Sequence, residues 1–161
     1  MQKKIYFLGI GGTGMASVAG LCTRAGYQVV GSDKGVYPPM STTLEKLGIN
    51  VMTPYQKENV EKEKPELVVV ANALSRGNPE IEEVLERGIK STSFPQLLED
   101  LFLTKQTSVV VTGTHGKTTT TALLAHILTS LGEDPSYLIG GVPHNLPEGY
   151  ALGKGRFFVI E

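Results

Sequence analysis

The chain has 161 residues, about one domain's worth, of which 40% are apolar, and its formal charge is −1. This near-neutral balance and the absence of tryptophan argue against a nucleic-acid partner, and the single cysteine, Cys22, excludes a disulfide framework or a thiolate metal cluster. No run approaches the ~20 apolar residues of a membrane helix, and the opening MQKKIYFLGIGG lacks both the length and the cleavage site of a signal segment, so the sequence predicts a cytoplasmic protein with no membrane partner.

Taken in chain order, KIYFLG (4–9) reads as a strand, followed by the glycine turn GIGGTG and a helix on which Met15, Val18, Ala19 and Cys22 share a face. Cys22 in that company is a core filler. QVVGS (28–32) is a second strand, with Asp33 at its end. Thr42 and Glu45 fit a capping box ahead of Leu44 and Leu47, and Gly48 closes that helix. INVMT (49–53) and ELVVVA (66–71) are further strands. Pro79 opens a helix whose apolar face is Ile81, Val84 and Leu85, ended by Gly88. IKSTS (89–93) is a fifth strand, and Ser93 with Gln96 caps a helix striped by Leu97, Leu98, Leu101 and Phe102.

The polar stretch LTKQT (103–107) is the best linker, which places domain limits at 1–104 and 105–161. Beyond it, SVVVTG (108–113) is a strand leading into GTHGKTT (113–119) and a helix lined by Leu123, Leu124, Ile127, Leu128 and Leu131 before Gly132. SYLIGG (136–141) and RFFVIE (156–161) complete three strands in this part. Near-continuous runs such as Val68–Val70 and Val109–Val111 suit strands buried on both faces. The alternation predicts a doubly wound α/β fold, a complete five-stranded unit with a parallel sheet followed by an incomplete one.

Both glycine turns can hold phosphates. Gly9, Gly11 and Gly14 make G-x-G-x-x-G between a strand and a helix, and Asp33 lies where an acid can reach a ribose hydroxyl. A nicotinamide dinucleotide and a sugar nucleotide would each put a diphosphate here, so this turn alone leaves an oxidoreductase open. In the second turn, Lys117 is set to reach β/γ oxygens and Thr118 to hold Mg²⁺. The pattern departs from G-x-x-x-x-G-K-[ST], because position 111 is valine and Gly113 lies two residues nearer the lysine. Glu161, at a strand end, suits a second Mg²⁺ contact. His115, His126 and His144 have no metal-ligand spacing, and no transition metal is expected.

Together GIGGTGM, GSD (31–33) and GTHGKTTTT resemble the Mur ligases, ATP-dependent amide-forming enzymes of peptidoglycan metabolism, in the branch whose acyl substrate is UDP-N-acetylmuramate. The family's short GTxGKT loop needs no glycine at 111. The segments VYPPMSTTLEKLGI (36–49), NALSRGNP (72–79) and IGGVPHN (139–145) look most like the branch member that takes the murein tripeptide as its amine; the alternative takes L-alanine. The resemblance implies a UDP-sugar site at Gly11, Gly12, Thr13, Gly14, Met15, Ser32, Asp33 and Asn72. It implies an ATP loop of Gly113, Thr114, His115, Gly116, Lys117, Thr118 and Thr119, with Lys117 catalytic and Mg²⁺ on Thr118 and Glu161. It also implies a Rossmann-like N-terminal domain with a parallel sheet followed by the truncated start of a P-loop ATPase domain, so that the chain is an N-terminal fragment, inactive alone. A regulatory nucleotide-binding module is the remaining alternative.

Overall fold

The computed structural model describes residues 3–141, 143–144 and 146–161. They form two compact units, Met1–Leu97 and Leu98–Glu161.

The first unit is a five-stranded sheet of order β3-β2-β1-β4-β5, with every pair parallel. Its elements are β1 (Lys4–Leu8), α1 (Thr13–Arg24), β2 (Gln28–Ser32), α2 (Met40–Lys46), β3 (Asn50–Met52), α3 (Lys57–Glu63), β4 (Leu67–Val70), α4 (Pro79–Glu86) and β5 (Ser91–Ser93). This is the doubly wound arrangement expected from strand–helix alternation, and the order reverses between β1 and β4. The register pairs Leu8 with Ser32 and Leu8 with Val70, so the turns after β1, β2 and β4 lie side by side at the carboxyl edge.

Alternate residues point to opposite faces of the sheet. Tyr6, Leu8, Val30 and Val68 form a buried cluster with Val60 of α3 and Val84 of α4. Ile5, Phe7, Val29 and Val69, of opposite parity, are also buried, so the sheet is covered on both sides. Each such side chain contributes about 1.5–3 kcal/mol relative to exposure.

Helix ends repay comparison with the sequence. Asn78 caps α4 by accepting from the N–H groups of Glu80 (2.9 Å) and Ile81 (3.4 Å), with Pro79 as its first residue, as expected. The Thr42 capping box does not form: α2 starts at Met40, behind Pro39, whose ring presets a helix-like φ, and Thr42 falls inside the helix. α3 carries no apolar stripe, only Val60 on its buried side, and so left no periodicity to read.

α5 (Phe94–Leu101) runs across the division between the units, and a 3₁₀ turn (Leu103–Lys105) follows it. The compact units therefore divide ahead of the polar stretch that composition suggested. The second unit contains β6 (Thr107–Val110), α6 (Lys117–Ser130), β7 (Ser136–Leu138), β8 (Tyr150–Ala151) and β9 (Phe157–Ile160). Its sheet has the order β6-β9-β7-β8, parallel except for β7 with β8. β8 is a fourth strand where three were expected; two residues are too few for a detectable alternation.

Two expectations for this unit are corrected. β6 is an edge strand, and Val110 is 60% exposed rather than buried on both faces. On α6, Thr121, Ala122 and Ala125 face the core, with Leu124 and Leu128 packed against it, while Leu123, Ile127 and Leu131 are exposed. The five leucines and isoleucines therefore split between two faces of one helix.

Candidate functional site

In the first unit the glycine turn hangs from the end of β2. The Ser32 carbonyl accepts the N–H groups of Gly9 (2.9 Å) and Ile10 (3.1 Å). Asp33, 9% exposed, accepts from Gly11 N at 2.8 Å through Oδ2 and from Gly35 N at 3.3 Å through Oδ1. A Cβ on Gly11 would lie 2.9 Å from that Oδ2, so any larger residue forces the Asp33 carboxylate to shift. α1 begins at Thr13, behind Gly12, with no side-chain cap and no acid in its first turn, which leaves a positively polarised helix end at the turn.

The expected sugar-nucleotide residues divide by exposure. Gly12, Thr13 and Gly14 are exposed and Gly11 is half-buried. Met15 is buried, so it can offer only its backbone N–H. Ser32 is fully buried and its hydroxyl donates to Glu80, so its side chain serves the core and not a ligand. Asn72 is exposed and lines an open groove of about 290 Å³ with Val70, Ala71, Leu74, Ser91, Thr92 and Ser93, at the carboxyl ends of β4 and β5.

Two residues beside this turn gave no motif signal. Tyr55 is half-buried; burial first, then the charge of Asp33, pushes its hydroxyl up to about 12. Glu80, the second residue of α4, reads in sequence as an ordinary first-turn acid, yet it is wholly buried. Cys22, raised to about 12 by burial, is the core filler its spacing predicted.

In the second unit the loop after β6 is exposed from Thr112 to Gly116. Gly116 closes it with φ +75°, a left-handed value costly for other residues, and α6 starts at the next residue. Lys117 Nζ donates to the Gly113 carbonyl at 2.8 Å. The Thr118 hydroxyl donates to Glu161 Oε2 at 3.1 Å, and Gly140 N–H donates to Glu161 Oε1 at 2.6 Å. Three strand ends, those of β6, β7 and β9, thus meet at the start of α6. Gly140 is the residue sequence reasoning missed; a Cβ there would sit 2.9 Å from the Glu161 carboxylate.

A hydroxyl beside a carboxylate is a hard oxygen donor pair that suits Mg²⁺, and the adjacent exposed loop with a lysine at its helix start suits a polyphosphate. Thr114, His115 and Thr119 are exposed around it. Among the described residues no group of three or more His, Cys, Asp or Glu could hold a metal ion, and no helix is long and apolar enough to cross a membrane. Of the segment IGGVPHN, Val142 and Asn145 lie outside the described residues.

The model for the Mur ligase family, catalytic domain, matches residues 4–106, and that for the Mur ligase middle domain matches residues 111–153. The chain is 47% identical to a UDP-N-acetylmuramate–L-alanyl-gamma-D-glutamyl-meso-2,6-diaminoheptandioate ligase of Escherichia coli (strain K12), over 98% of this chain and 34% of that protein. It is 40% identical to a UDP-N-acetylmuramate–L-alanine ligase of Lactobacillus acidophilus, over 99% of this chain and 35% of the relative. The solved UDP-N-acetylmuramate:L-alanyl-gamma-D-glutamyl-meso-diaminopimelate ligase from Neisseria meningitides superposes with a TM-score of 0.94 at 38% identity, covering 100% of this chain and 52% of that one. The chain spans about a third of the length of the curated relatives it matches.

Proposed function

The chain belongs to the Mur ligase family, and from that premise we propose that it is the nucleotide-sugar-binding and ATP-loop part of a cytoplasmic ligase of peptidoglycan recycling. The reaction joins the carboxylate of UDP-N-acetylmuramate to the amine of L-alanyl-γ-D-glutamyl-meso-diaminopimelate through an acyl phosphate, at the cost of ATP. The observation that carries the reading is the meeting of Lys117, Thr118 and Glu161 at one helix start, behind a glycine loop.

A carboxylate is a poor electrophile, so it must first be phosphorylated. In this reading the loop N–H groups and the N-terminus of α6 cradle the ATP phosphates. Lys117 exchanges the Gly113 carbonyl for a phosphate oxygen and offsets the charge gathered there during transfer. Thr118 and Glu161 would hold Mg²⁺, which when bound supplies further positive charge to the phosphoryl oxygens. Gly140 N–H keeps one Glu161 oxygen pinned, so the other is presented to the ion. In the first unit, residues 11–15 with Asp33 and Asn72 hold the UDP end. Such holding converts an encounter into a positioned reaction, an effect able to lower a barrier by about 7–11 kcal/mol.

The choice of tripeptide over L-alanine rests on 47% against 40% identity in the two kinds of relative. The test is phosphate release by a protein that carries this chain with the remaining length its relatives have. UDP-N-acetylmuramate, ATP and Mg²⁺ are supplied with each amine in turn. Turnover with the tripeptide well above that with L-alanine is expected. The reverse preference moves the assignment to the L-alanine ligases, and NADH binding in place of UDP-N-acetylmuramate overturns the ligase reading.

A further inference from the structure

Glu80 is the only acid of the first unit's described residues that is completely shielded from solvent. No lysine or arginine is among its hydrogen-bond partners. Four donors satisfy it instead. The hydroxyls of Tyr6 (2.9 Å) and Ser32 donate to Oε2, while Gln56 N–H (3.0 Å) and Asn59 Nδ2 (2.7 Å) donate to Oε1. These donors come from β1, from the last residue of β2 and from the start of α3. A carboxylate with two donors on each oxygen is satisfied without a counter-charge.

The bond to Ser32 matters beyond packing. The carbonyl of that residue holds Gly9 and Ile10, and the next residue, Asp33, holds Gly11. A single residue thus links the buried carboxylate to the whole entry of the glycine turn. The Tyr6 hydroxyl donates to the same oxygen of Glu80 but sits in mid-strand, with Phe7 and Leu8 between it and the turn.

We propose that Glu80 is a positioning residue for the nucleotide sugar, which fixes the diphosphate turn by anchoring Ser32 at the end of β2. This rests on the reading that residues 11–15 hold a UDP-sugar. Asn59 and the Gln56 N–H bind the opposite oxygen, so the carboxylate cannot rotate away from Ser32 without losing both.

The experiment measures UDP-N-acetylmuramate affinity of the chain by calorimetry, with thermal unfolding in parallel, for wild type, Ser32→Ala, Tyr6→Phe, Glu80→Ala and Glu80→Gln. Ser32→Ala should weaken binding about tenfold and Tyr6→Phe by less than about twofold, although each removes one donor to the same oxygen and each lowers the unfolding temperature. Glu80→Ala should weaken binding at least about tenfold. Glu80→Gln should recover most of it, because its amide can donate to the two hydroxyls, which turn to accept. Equal affinity losses in Ser32→Ala and Tyr6→Phe, or wild-type affinity in Ser32→Ala, overturn the proposal even if the Glu80 variants fail to fold. No binding by the wild-type chain would instead remove the UDP-sugar reading itself, and the proposal with it.

Discussion

At the scale of single residues, the two sites make separable predictions. Gly11→Val puts a Cβ 2.9 Å from Asp33 Oδ2, inside van der Waals contact, and so displaces the carboxylate from the turn. UDP-N-acetylmuramate binding should be lost while ATP binding is unchanged, read by calorimetry with each ligand. Lys117→Ala should lower phosphate release by the ligase about 10²–10³-fold with little change in affinity for the nucleotide sugar, since its charge acts on the transferring group. How much of this was legible differs by residue. The loop that carries Lys117 and Thr118 is legible because its glycines, lysine and threonine are adjacent in sequence. Glu80 and Gly140 are not, because their partners lie 21 to 74 positions away and their residue types are ordinary for a helix start and a strand end. Ser32 lies beside the turn, and nothing local in sequence shows that its hydroxyl faces inward to Glu80.

At the scale of elements, α6 is the instructive case. Its apolar residues suggested one stripe, yet the core takes the small ones, Ala122 and Ala125 with Thr121, and leaves Leu123, Ile127 and Leu131 outside. Side-chain size misled because close packing of a helix on a sheet favours small residues at the contact. Leu123→Gln and Ile127→Gln should therefore shift the stability of this chain by less than about 0.5 kcal/mol in urea unfolding. Ala125→Leu should cost about 1–3 kcal/mol through overpacking. On α1 the pattern and the packing agree. Cys22 is fully buried and its thiol is raised to about 12, so a thiol reagent at pH 8 should label the native chain only at the rate of unfolding.

At the scale of the whole molecule, the α/β class follows from alternation and parallel-strand composition, whereas the strand order β3-β2-β1-β4-β5 does not, because it is set by pairings distant in sequence. The chain also has a pH limit that belongs to the first unit. Burial raises Tyr6 well above the ordinary phenol range, and burial with the nearby Asp33 charge raises Tyr55 to about 12. A raised folded-state value means that the native state holds protons the unfolded state has already released. The stability associated with Tyr55 is intact below about pH 10 and is lost as pH climbs through about 12, and that of Tyr6 persists to still higher pH. Absorbance at 295 nm should therefore show Tyr6 and Tyr55 ionising late and cooperatively with unfolding, and Tyr55→Phe should remove one late-ionising group.

Both sites repeat one device. A glycine loop follows one strand, and the acid that touches that loop or its helix comes from the end of the parallel strand next door: Asp33 after β2 beside β1, Glu161 after β9 beside β6. The pairings Leu8 with Ser32 and Val110 with Ile160 fix how far each acid protrudes. Strand pairing is thus a ruler for the chemistry, graduated in steps of about 3.3 Å with the side chain reversing at each step. Insertions in the connecting segments leave the ruler untouched, so length variation among ligases of this kind belongs in the loops. Deletion of one residue within Phe157–Ile160 would keep a foldable strand and turn Glu161 away from Thr118, giving a protein that keeps its sheet and loses the hydroxyl–carboxylate pair.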